Sequence, residues 1–211
     1  MRLTALILTI AFLTACGPLD KPTVSFYLAL QRGDLDQIER HIYWDADLNQ
    51  PMRGGELPLQ IVAGAGRPII TKLLIKNGAD LSTKDHEGKT ALHRALETGR
   101  TQIADTLIES GAKLNPTEML LTLVGAQIND RDTLRFLMQH GADINAVGED
   151  GRTPLTQSIG NNNLLLTKQL IRAGADVNNR DGQGKRPLEM ATQGKNPDII
   201  RFLRRNGAAI E

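Results

Sequence analysis

Apolar residues recur along this chain at the spacing of an amphipathic helix. In the segment IADTLIES, the apolar residues Ile103, Ala104, Leu107 and Ile108 fall on one face of a helix with 3.6 residues per turn. Six short segments of similar sequence have starts separated by 33, 33, 30, 33 and 33 residues. They are DADLN (45–49), GADLS (78–82), GAKLN (111–115), GADIN (141–145), GADVN (174–178) and GAAIE (207–211). Such a period predicts a solenoid in which each helical pair buries its apolar stripe against its neighbours.

Residues suited to helix ends stand at matching positions of this pattern. Thr90 and Thr153 are placed to cap the helices that follow them, because a threonine hydroxyl accepts a hydrogen bond from an unpaired backbone amide. A proline costs nothing in the first turn of a helix, where its missing amide proton would have no partner. We therefore expect helices to start at Pro58, Pro154 and Pro187. A left-handed residue commonly ends a helix, which predicts that the second helices end at Gly78, Gly111, Gly141, Gly174 and Gly207.

The repeated unit is similar to a known family. The segment DHEGKTALHRALETGRTQIADTLIESGA resembles the ankyrin repeat over its whole length, and DGRTPLTQSI and DGQGKRPLEMA repeat its Thr-Pro-Leu-His-like start. ELPLQIVAGAG is a degenerate copy. The resemblance covers about residues 25–211 and implies an all-α solenoid of stacked helix-turn-helix units with short hairpin loops.

Six units are expected within that range. They are an N-terminal cap (25–51), 52–84, 85–117, a shortened unit (118–147), 148–180 and a C-terminal cap (181–211). In the fourth unit the segment NPTEMLLTL leaves no room for the usual hairpin, so we expect its projecting finger to be blunted.

The N-terminal segment has the order of a secretory signal. Arg2 precedes an uncharged, mostly apolar run over residues 3–13, and small residues follow up to Cys16. Eleven such residues are fewer than the roughly 20 that span a bilayer, which disfavours a transmembrane anchor. Leu-Thr-Ala-Cys resembles the lipobox of bacterial lipoproteins. That resemblance implies removal of residues 1–15, lipidation of Cys16, and residues 16–24 as a lipidated linker. The alternative is a buried cysteine or a free thiol.

Charge and composition narrow the possible partners. Without residues 1–15 the chain has as many Lys and Arg as Asp and Glu, because Arg2 is the only charged residue removed. Such a neutral balance gives no sign of nucleic-acid binding, which requires a basic face. Aromatic residues make up only 3% of the chain, but 40% are hydrophobic, which excludes wholesale disorder.

The four histidines give no catalytic pattern. His93 stands where the ankyrin repeat itself has histidine, which implies a structural role, and His41 occupies a position that is Leu or Ile in other copies. His86 lies at a hairpin tip between two carboxylates, which is a weak metal ligand set because zinc needs three or four fixed donors. His140 precedes a helix end. We therefore expect no enzyme activity, no cofactor and no metal. The alternative is an enzyme whose active site is not marked by a known motif.

Ankyrin repeats generally bind partners through their hairpin fingers and first helices. Carried onto matching positions, this implies a binding strip made of Lys84, His86, Glu87, Lys89, Glu149, Asp150, Arg152, Arg180, Gln183 and Lys185. The first copy carries Tyr43 and Trp44 where most other copies are polar. These two aromatics are either a binding hot spot or part of the N-terminal cap, packed under the linker.

Together these features predict a non-enzymatic, protein-binding lipoprotein of the bacterial envelope. Gly17 after the cysteine implies the outer membrane, facing the periplasm, if the host is Gram-negative. The most specific hypothesis is an immunity protein that inhibits a toxin or effector acting in the periplasm. The alternatives are a helper that stabilises a periplasmic enzyme and a passive envelope spacer.

Overall fold

The computed structural model describes residues 19–209, and the predicted signal peptide and Cys16 lie outside this range. All twelve elements in the described part are α-helices, which confirms the all-α prediction. Their bounds are α1 Phe26–Arg32, α2 Leu35–Tyr43, α3 Pro58–Gly64, α4 Pro68–Lys76, α5 Ala91–Glu97, α6 Thr101–Glu109, α7 Pro116–Gly125, α8 Arg131–Gln139, α9 Pro154–Gly160, α10 Leu164–Arg172, α11 Pro187–Gln193 and α12 Pro197–Arg205. Odd numbers mark the first helix of each repeat and even numbers mark the second.

Each helix is too short to be stable by itself. Second helices have nine residues, and first helices have seven except for the ten of α7. Isolated helices shorter than roughly 12–15 residues are marginal in water, so tertiary packing must stabilise these. First helices stack in sequence, α1 on α3, α3 on α5, α7 on α9 and α9 on α11. Their buried faces form one continuous apolar core that extends from Phe26 to Leu203.

The helix ends follow the predicted chemistry. Thr90 Oγ1 accepts from His93 N at 3.4 Å and Thr153 Oγ1 accepts from Thr156 N at 3.1 Å, so both predicted caps are confirmed. Pro58, Pro154 and Pro187 occupy the first position of α3, α9 and α11, as predicted. All five predicted glycines have positive φ, with Gly174 at 102°, which is the left-handed region that a helix end requires.

Asparagines of the pentapeptides join neighbouring repeats along one edge of the solenoid. Asn49 Nδ2 donates to Gly78 O at 3.1 Å, and Asn49 Oδ1 accepts from Asp80 N at 2.7 Å. Asn178 makes the same pair of bonds to the final pentapeptide, at 3.1 Å to Gly207 O and 3.0 Å from Ala209 N. The first pentapeptide is therefore in register with the second, and the fifth with the sixth.

Replacement of Asn145 tests the contribution of this ladder. Asn145 Oδ1 accepts from Asp176 N at 2.9 Å. We expect Asn145→Ala to lower the free energy of unfolding by about 1 kcal/mol, because a hydrogen bond between two repeats is lost. Urea unfolding measures this, with Asn129→Ala in the exposed α7–α8 turn as the control, expected to change stability by less than about 0.5 kcal/mol. Equal effects of the two substitutions would show that the ladder contributes nothing specific.

The fourth repeat begins differently from the others. Helix α7 starts at Pro116, only a short distance after α6 ends at Glu109, whereas α4 ends at Lys76 and α5 begins at Ala91. Asn115 caps α7 by accepting from Glu118 N at 3.3 Å, so the chain enters the helix directly from the pentapeptide. The helix takes the place of the hairpin, which confirms the blunted finger. Helix α7 also begins two positions before the unit boundary expected at residue 118.

The junction between the third and fourth repeats carries a buried polar contact. Helices α5 and α7 approach each other less closely than the other neighbouring first helices do. The Thr133 side chain of α8 is 3% exposed, and its hydroxyl donates to Leu96 O at the end of α5 at 2.8 Å. This hydrogen bond therefore ties α8 to the preceding repeat at the junction where the first helices stack least closely.

We expect Thr133→Val to lower the free energy of unfolding by about 1 kcal/mol. Valine keeps the shape of threonine but removes the donor to Leu96, whose carbonyl still accepts from Gly99 N at 3.2 Å. Thr133→Ser is the control, because it keeps the hydroxyl. Chemical denaturation in which the valine variant is as stable as the parent would contradict a role for this contact.

Candidate protein-binding surface

The finger of the third repeat, residues 83–90, is built around a buried aspartate. The Asp85 side chain is fully buried, and Oδ1 accepts from the amides of Glu87 and Lys89, each at 2.9 Å. Its other oxygen, Oδ2, accepts from Arg94 Nη2 at 2.6 Å and from Arg94 Nε at 3.0 Å. Both the finger tip and the adjacent helix α5 are therefore held by one carboxylate.

Two predicted residues of this finger lie in an ion-pair network. Lys89 Nζ lies between Glu87 Oε2 at 2.8 Å and Glu97 Oε1 at 2.7 Å. Arg94 adds contacts of 3.3 Å to Glu87 and 3.6 Å to Glu97, and it lies 3.8 Å from Glu56 of the preceding repeat. Much of the charge of Glu87 and Lys89 is thus satisfied inside the protein, where it fixes the finger.

Contacts in this finger shift the pKa values of Asp85, Glu87 and Lys89 toward the charged forms. Burial acts to raise the pKa of Asp85, but hydrogen bonds from Lys89 N, Arg94 and Glu87 N outweigh it, so this pKa lies below its ordinary value. The hydrogen bond from Lys89 lowers the pKa of Glu87, and the same contact raises the pKa of Lys89. All three groups are therefore charged near neutral pH.

Asp85→Asn tests this carboxylate. We expect the substitution to lower the free energy of unfolding by about 2 kcal/mol at pH 7, because the Arg94 guanidinium loses a buried anionic partner. The native pKa of Asp85 is lowered, so its stabilisation is present above the ordinary value of about 3.9 and is lost as the pH falls through the native pKa.

Urea unfolding measures the free energy of unfolding of the parent and of Asp85→Asn. The difference between these two free energies is expected to be constant above about pH 4 and to become smaller below it. Asp105→Asn, on the exposed outer face of α6, is the control and is expected to have little effect at either pH. A difference that persists undiminished at acid pH would mean that the charge of Asp85 is not what stabilises the finger.

His86 braces the third finger against the second. The His86 side chain is 57% exposed, and its ring lies against Gly55, where an added Cβ would meet Nδ1 at 2.6 Å. Gly55 also has a φ of 82°, so the backbone and the neighbour both favour glycine there. Lys84 is exposed at the start of the same finger. The fingers of repeats 2 and 3 thus form one braced pair.

The fingers of repeats 5 and 6 form a second pair. Gly182 N donates to Gly151 O at 2.6 Å, and a Cβ on Gly182 would lie 3.1 Å from both Cα and O of Gly151. Glu149 and Asp150 are exposed on the fifth finger, and Asp150 Oδ1 accepts from Arg152 N at 2.9 Å. Direct backbone contact therefore sets the spacing of these two fingers.

The sixth finger repeats the aspartate-centred turn of the third. Asp181 Oδ1 accepts from Gln183 N at 2.9 Å and from Lys185 N at 2.8 Å. Arg180 Nη1 donates to Gly184 O at 2.7 Å across the same turn. The predicted residues of this finger are thus brought together on a turn of defined shape.

Tyr43 and Trp44 lie at the end of α2, beside the N-terminal linker and apart from the fingers. Their rings meet edge to face with centroids 5.9 Å apart, and the side chains are 53% and 47% exposed. Trp44 Nε1 donates to Leu19 O at 3.0 Å, and Lys21 Nζ lies 5.3 Å from the indole centroid. Trp44 therefore contacts the linker while about half of these aromatic residues stays open to solvent, and a binding role for them stays a prediction.

Two of the remaining histidines bond to nearby carbonyls. His41 Nε2 lies 2.8 Å from Val24 O, and His140 Nδ1 lies 2.9 Å from Phe136 O. Each ring nitrogen is placed to donate to that carbonyl, which ties His41 to the end of the linker and His140 to its own helix.

His93 belongs to the cap of α5. Its Nδ1 lies 2.9 Å from Thr90 Oγ1 and accepts from Thr90 N at 3.4 Å, and burial lowers its pKa. Across residues 19–209 the side chains form no cluster of three or more potential metal ligands, and none of the described helices is long and apolar enough to span a membrane.

The family match accounts for this architecture. The family model described as ankyrin repeats (3 copies) matches residues 26–118 and 122–211, so the chain belongs to the ankyrin-repeat family. Membership implies protein–protein binding as the general function. The solved ankyrin repeat domain of Bcl-3 superposes with a TM-score of 0.69 at 26% identity, covering 90% of this chain and 89% of that one.

Several relatives share the repeats at modest identity. Human B-cell lymphoma 3 protein is 27% identical over 152 residues, which is 65% of this chain and 33% of the relative. Human Rabankyrin-5 is 31% identical over 64% of this chain but only 13% of its own length. A putative ankyrin repeat-containing protein of Treponema pallidum is 31% identical over 48% of this chain and 36% of its own. This chain therefore spans about a third or less of these relatives.

A bacterial structure shares the fold. A chain in the structure of a predatory endopeptidase of Bdellovibrio bacteriovorus in complex with an immunity protein matches with a TM-score of 0.66 at 23% identity. The match covers 88% of this chain and 99% of that one. At this identity the likeness concerns the fold alone.

Proposed function

We propose that this ankyrin-repeat protein is a non-enzymatic lipoprotein of the bacterial envelope that binds and inhibits a toxin or effector acting in the periplasm. The observation that carries the proposal is the bracing of its fingers into two pairs by His86 against Gly55 and by Gly182 against Gly151. Fingers fixed in this way lose little conformational entropy when a partner binds, which favours tight capture of a folded protein.

The chemistry of the finger tips favours a polar partner. Lys84, Glu149 and Gln183 are exposed, so they offer a cation, an anion and an amide to a partner. Exposed charges of both signs select a complementary surface and accelerate association in a salt-dependent way. We therefore expect specificity to be determined by the exposed tip residues that take no part in the ion-pair network of the third finger.

The blunted fourth repeat separates the two finger pairs. Because α7 begins at Pro116 without a hairpin before it, the row of fingers has a gap between the third and the fifth repeat. A loop of the partner can enter this gap while the braced fingers contact it from both sides. Covering a toxin in this way blocks access to it without any chemical step, which suits inhibition by an inert protein.

The envelope location rests on the lipobox-like sequence ending at Cys16. Periplasmic placement suits interception of a toxin that acts there. The Bdellovibrio structure is of an endopeptidase in complex with an immunity protein, and one chain of that complex shares the fold of this chain. That likeness supports the proposal by analogy only.

Competition between sibling strains tests the proposed role. We expect a strain that lacks this gene to be killed by toxin-bearing siblings and to be rescued by the wild-type gene. The double variant Lys84→Glu/Glu149→Lys is expected to bind the toxin at least roughly tenfold more weakly, because two exposed charges at the tips are reversed. It is therefore expected to rescue poorly.

The matched control is Lys72→Glu/Glu109→Lys, which makes the same charge changes on the exposed faces of α4 and α6. It is expected to rescue like the wild type. Unchanged survival of the deletion strain would remove the immunity proposal, and loss of an envelope enzyme activity in that strain would favour the helper role. Full rescue by the finger variant would place binding elsewhere.

A further inference from the structure

The outer face of the solenoid carries two columns of side chains. The second helix of each repeat contributes one residue to each column. The fifth residue of each second helix forms the first column: Glu39, Lys72, Asp105, Arg135, Lys168 and Arg201. The last residue of each forms the second column: Tyr43, Lys76, Glu109, Gln139, Arg172 and Arg205. All are exposed except Lys168, which is half-buried and lies over the Phe202 ring at 5.7 Å.

The sign of the charge changes along these columns. In repeats 1–3 the first column alternates between acid and base, so neighbouring repeats attract each other. In repeats 4–6 it is basic throughout, and Arg131 and Arg204 add to the charge. The carboxylates on this part of the face are Asp132, 3.1 Å from Arg135, and Asp198, 3.7 Å from Arg201. Neighbouring helices lie about 8–10 Å apart, so the cations of adjacent repeats repel one another.

A shallow groove within this region adds apolar surface to the charge. Arg131 and Arg135 of α8 and Arg172 of α10 border an open groove of about 390 Å³. Leu165 also lines the groove and is 53% exposed. The cations of this region are spread over α8, α10 and α12, and those of α8 and α10 border the apolar side chain. This arrangement suits an extended anionic surface with an apolar interior better than it suits a single small anion.

The N-terminal linker runs along the second helix of repeat 1. Asp20 Oδ2 lies 3.6 Å from Arg40 of α2, and Leu19 O accepts from Trp44 Nε1 at the end of that helix. Cys16 precedes Leu19 by three residues, which span at most about 11 Å of extended chain. A lipid on Cys16 would therefore lie close to Tyr43 and Trp44, at the repeat 1 end of the second column.

We propose that the outer face of α8, α10 and α12 docks on the surface of an anionic phospholipid bilayer. The proposal rests on the proposed lipid anchor, which fixes repeat 1 to the membrane and raises the effective concentration of the bilayer at repeats 4–6. Each basic residue near an anionic surface adds attraction, and a tether combined with a basic patch holds a protein more firmly than either alone.

Docking of this face determines which surface remains available to a partner. With its outer helices on the bilayer, the solenoid lies along the membrane and turns its fingers toward the aqueous phase. Tyr43 and Trp44 then lie at the lipid–water interface, where amphipathic aromatic side chains are favoured. The toxin-binding fingers of repeats 2, 3, 5 and 6 and the membrane-binding second helices of repeats 4–6 thus use different residues of the solenoid.

Vesicle co-sedimentation of residues 17–211 tests the proposal without the lipid. This segment contains every described helix and the whole described core, so it keeps the fold, which circular dichroism verifies. We expect it to bind vesicles of phosphatidylcholine with about 30% phosphatidylglycerol. Binding is expected to be at least roughly tenfold weaker to pure phosphatidylcholine or at high salt, because the attraction is electrostatic.

The triple variant Arg135→Gln/Arg172→Gln/Arg205→Gln is expected to lose at least roughly tenfold in vesicle binding. Arg32→Gln/Arg53→Gln/Lys113→Gln, which removes three exposed cations elsewhere, is expected to retain it. Failure to bind the anionic vesicles, or equal loss in both variants, would overturn the proposal. Binding to poly-glutamate without vesicle binding would also overturn it, in favour of an acidic protein. A failed competition test with intact vesicle binding counts only against the toxin-binding role.

Discussion

No helical pair of this protein can bury its apolar stripe without the next pair, and the rest of the structure depends on that constraint. Helices of seven to ten residues gain their stability from one continuous core that runs from Phe26 to Leu203. Stability is then roughly a sum of repeat terms and interface terms. Polar contacts between repeats, such as that of Asn49 with Asp80, add to the apolar interfaces and keep the pentapeptides in register.

The regular parts of the fold could be predicted from the sequence because they repeat. A fixed period, a threonine or proline at the start of α3, α5, α9 and α11 and a glycine after five of the second helices all require only local chemistry, and the structure has them where they were expected. The shortened interval before α7 likewise predicted a blunted finger. The parts that could not be predicted are those that depend on contacts between residues distant in the sequence.

The finger network illustrates that difference. Asp85 reaches Arg94 nine positions later, and Arg94 also lies near Glu56 in the preceding repeat, so no local motif marks the three as partners. The hydrogen bond from Gly182 N to Gly151 O likewise joins the fingers of two successive repeats, which no local pattern marks. The sequence predicted ten of the candidate binding residues on the fingers, but only the structure separates Glu87 and Lys89, which brace a finger, from Lys84 and Glu149, which are exposed. A neutral net charge similarly conceals the basic outer face of repeats 4–6.

Hydrogen–deuterium exchange of the native protein tests most directly whether one core holds all six repeats. If it does, the slowest amides of α3, α5, α7 and α9 will exchange with closely similar opening free energies, because opening one repeat exposes its neighbours. The comparison of α5 with α7 is the most informative, because these two helices stack less closely than the other neighbouring first helices. Exchange in which α1–α6 open together and independently of α7–α12 would contradict the account and show two solenoids joined at the fourth repeat.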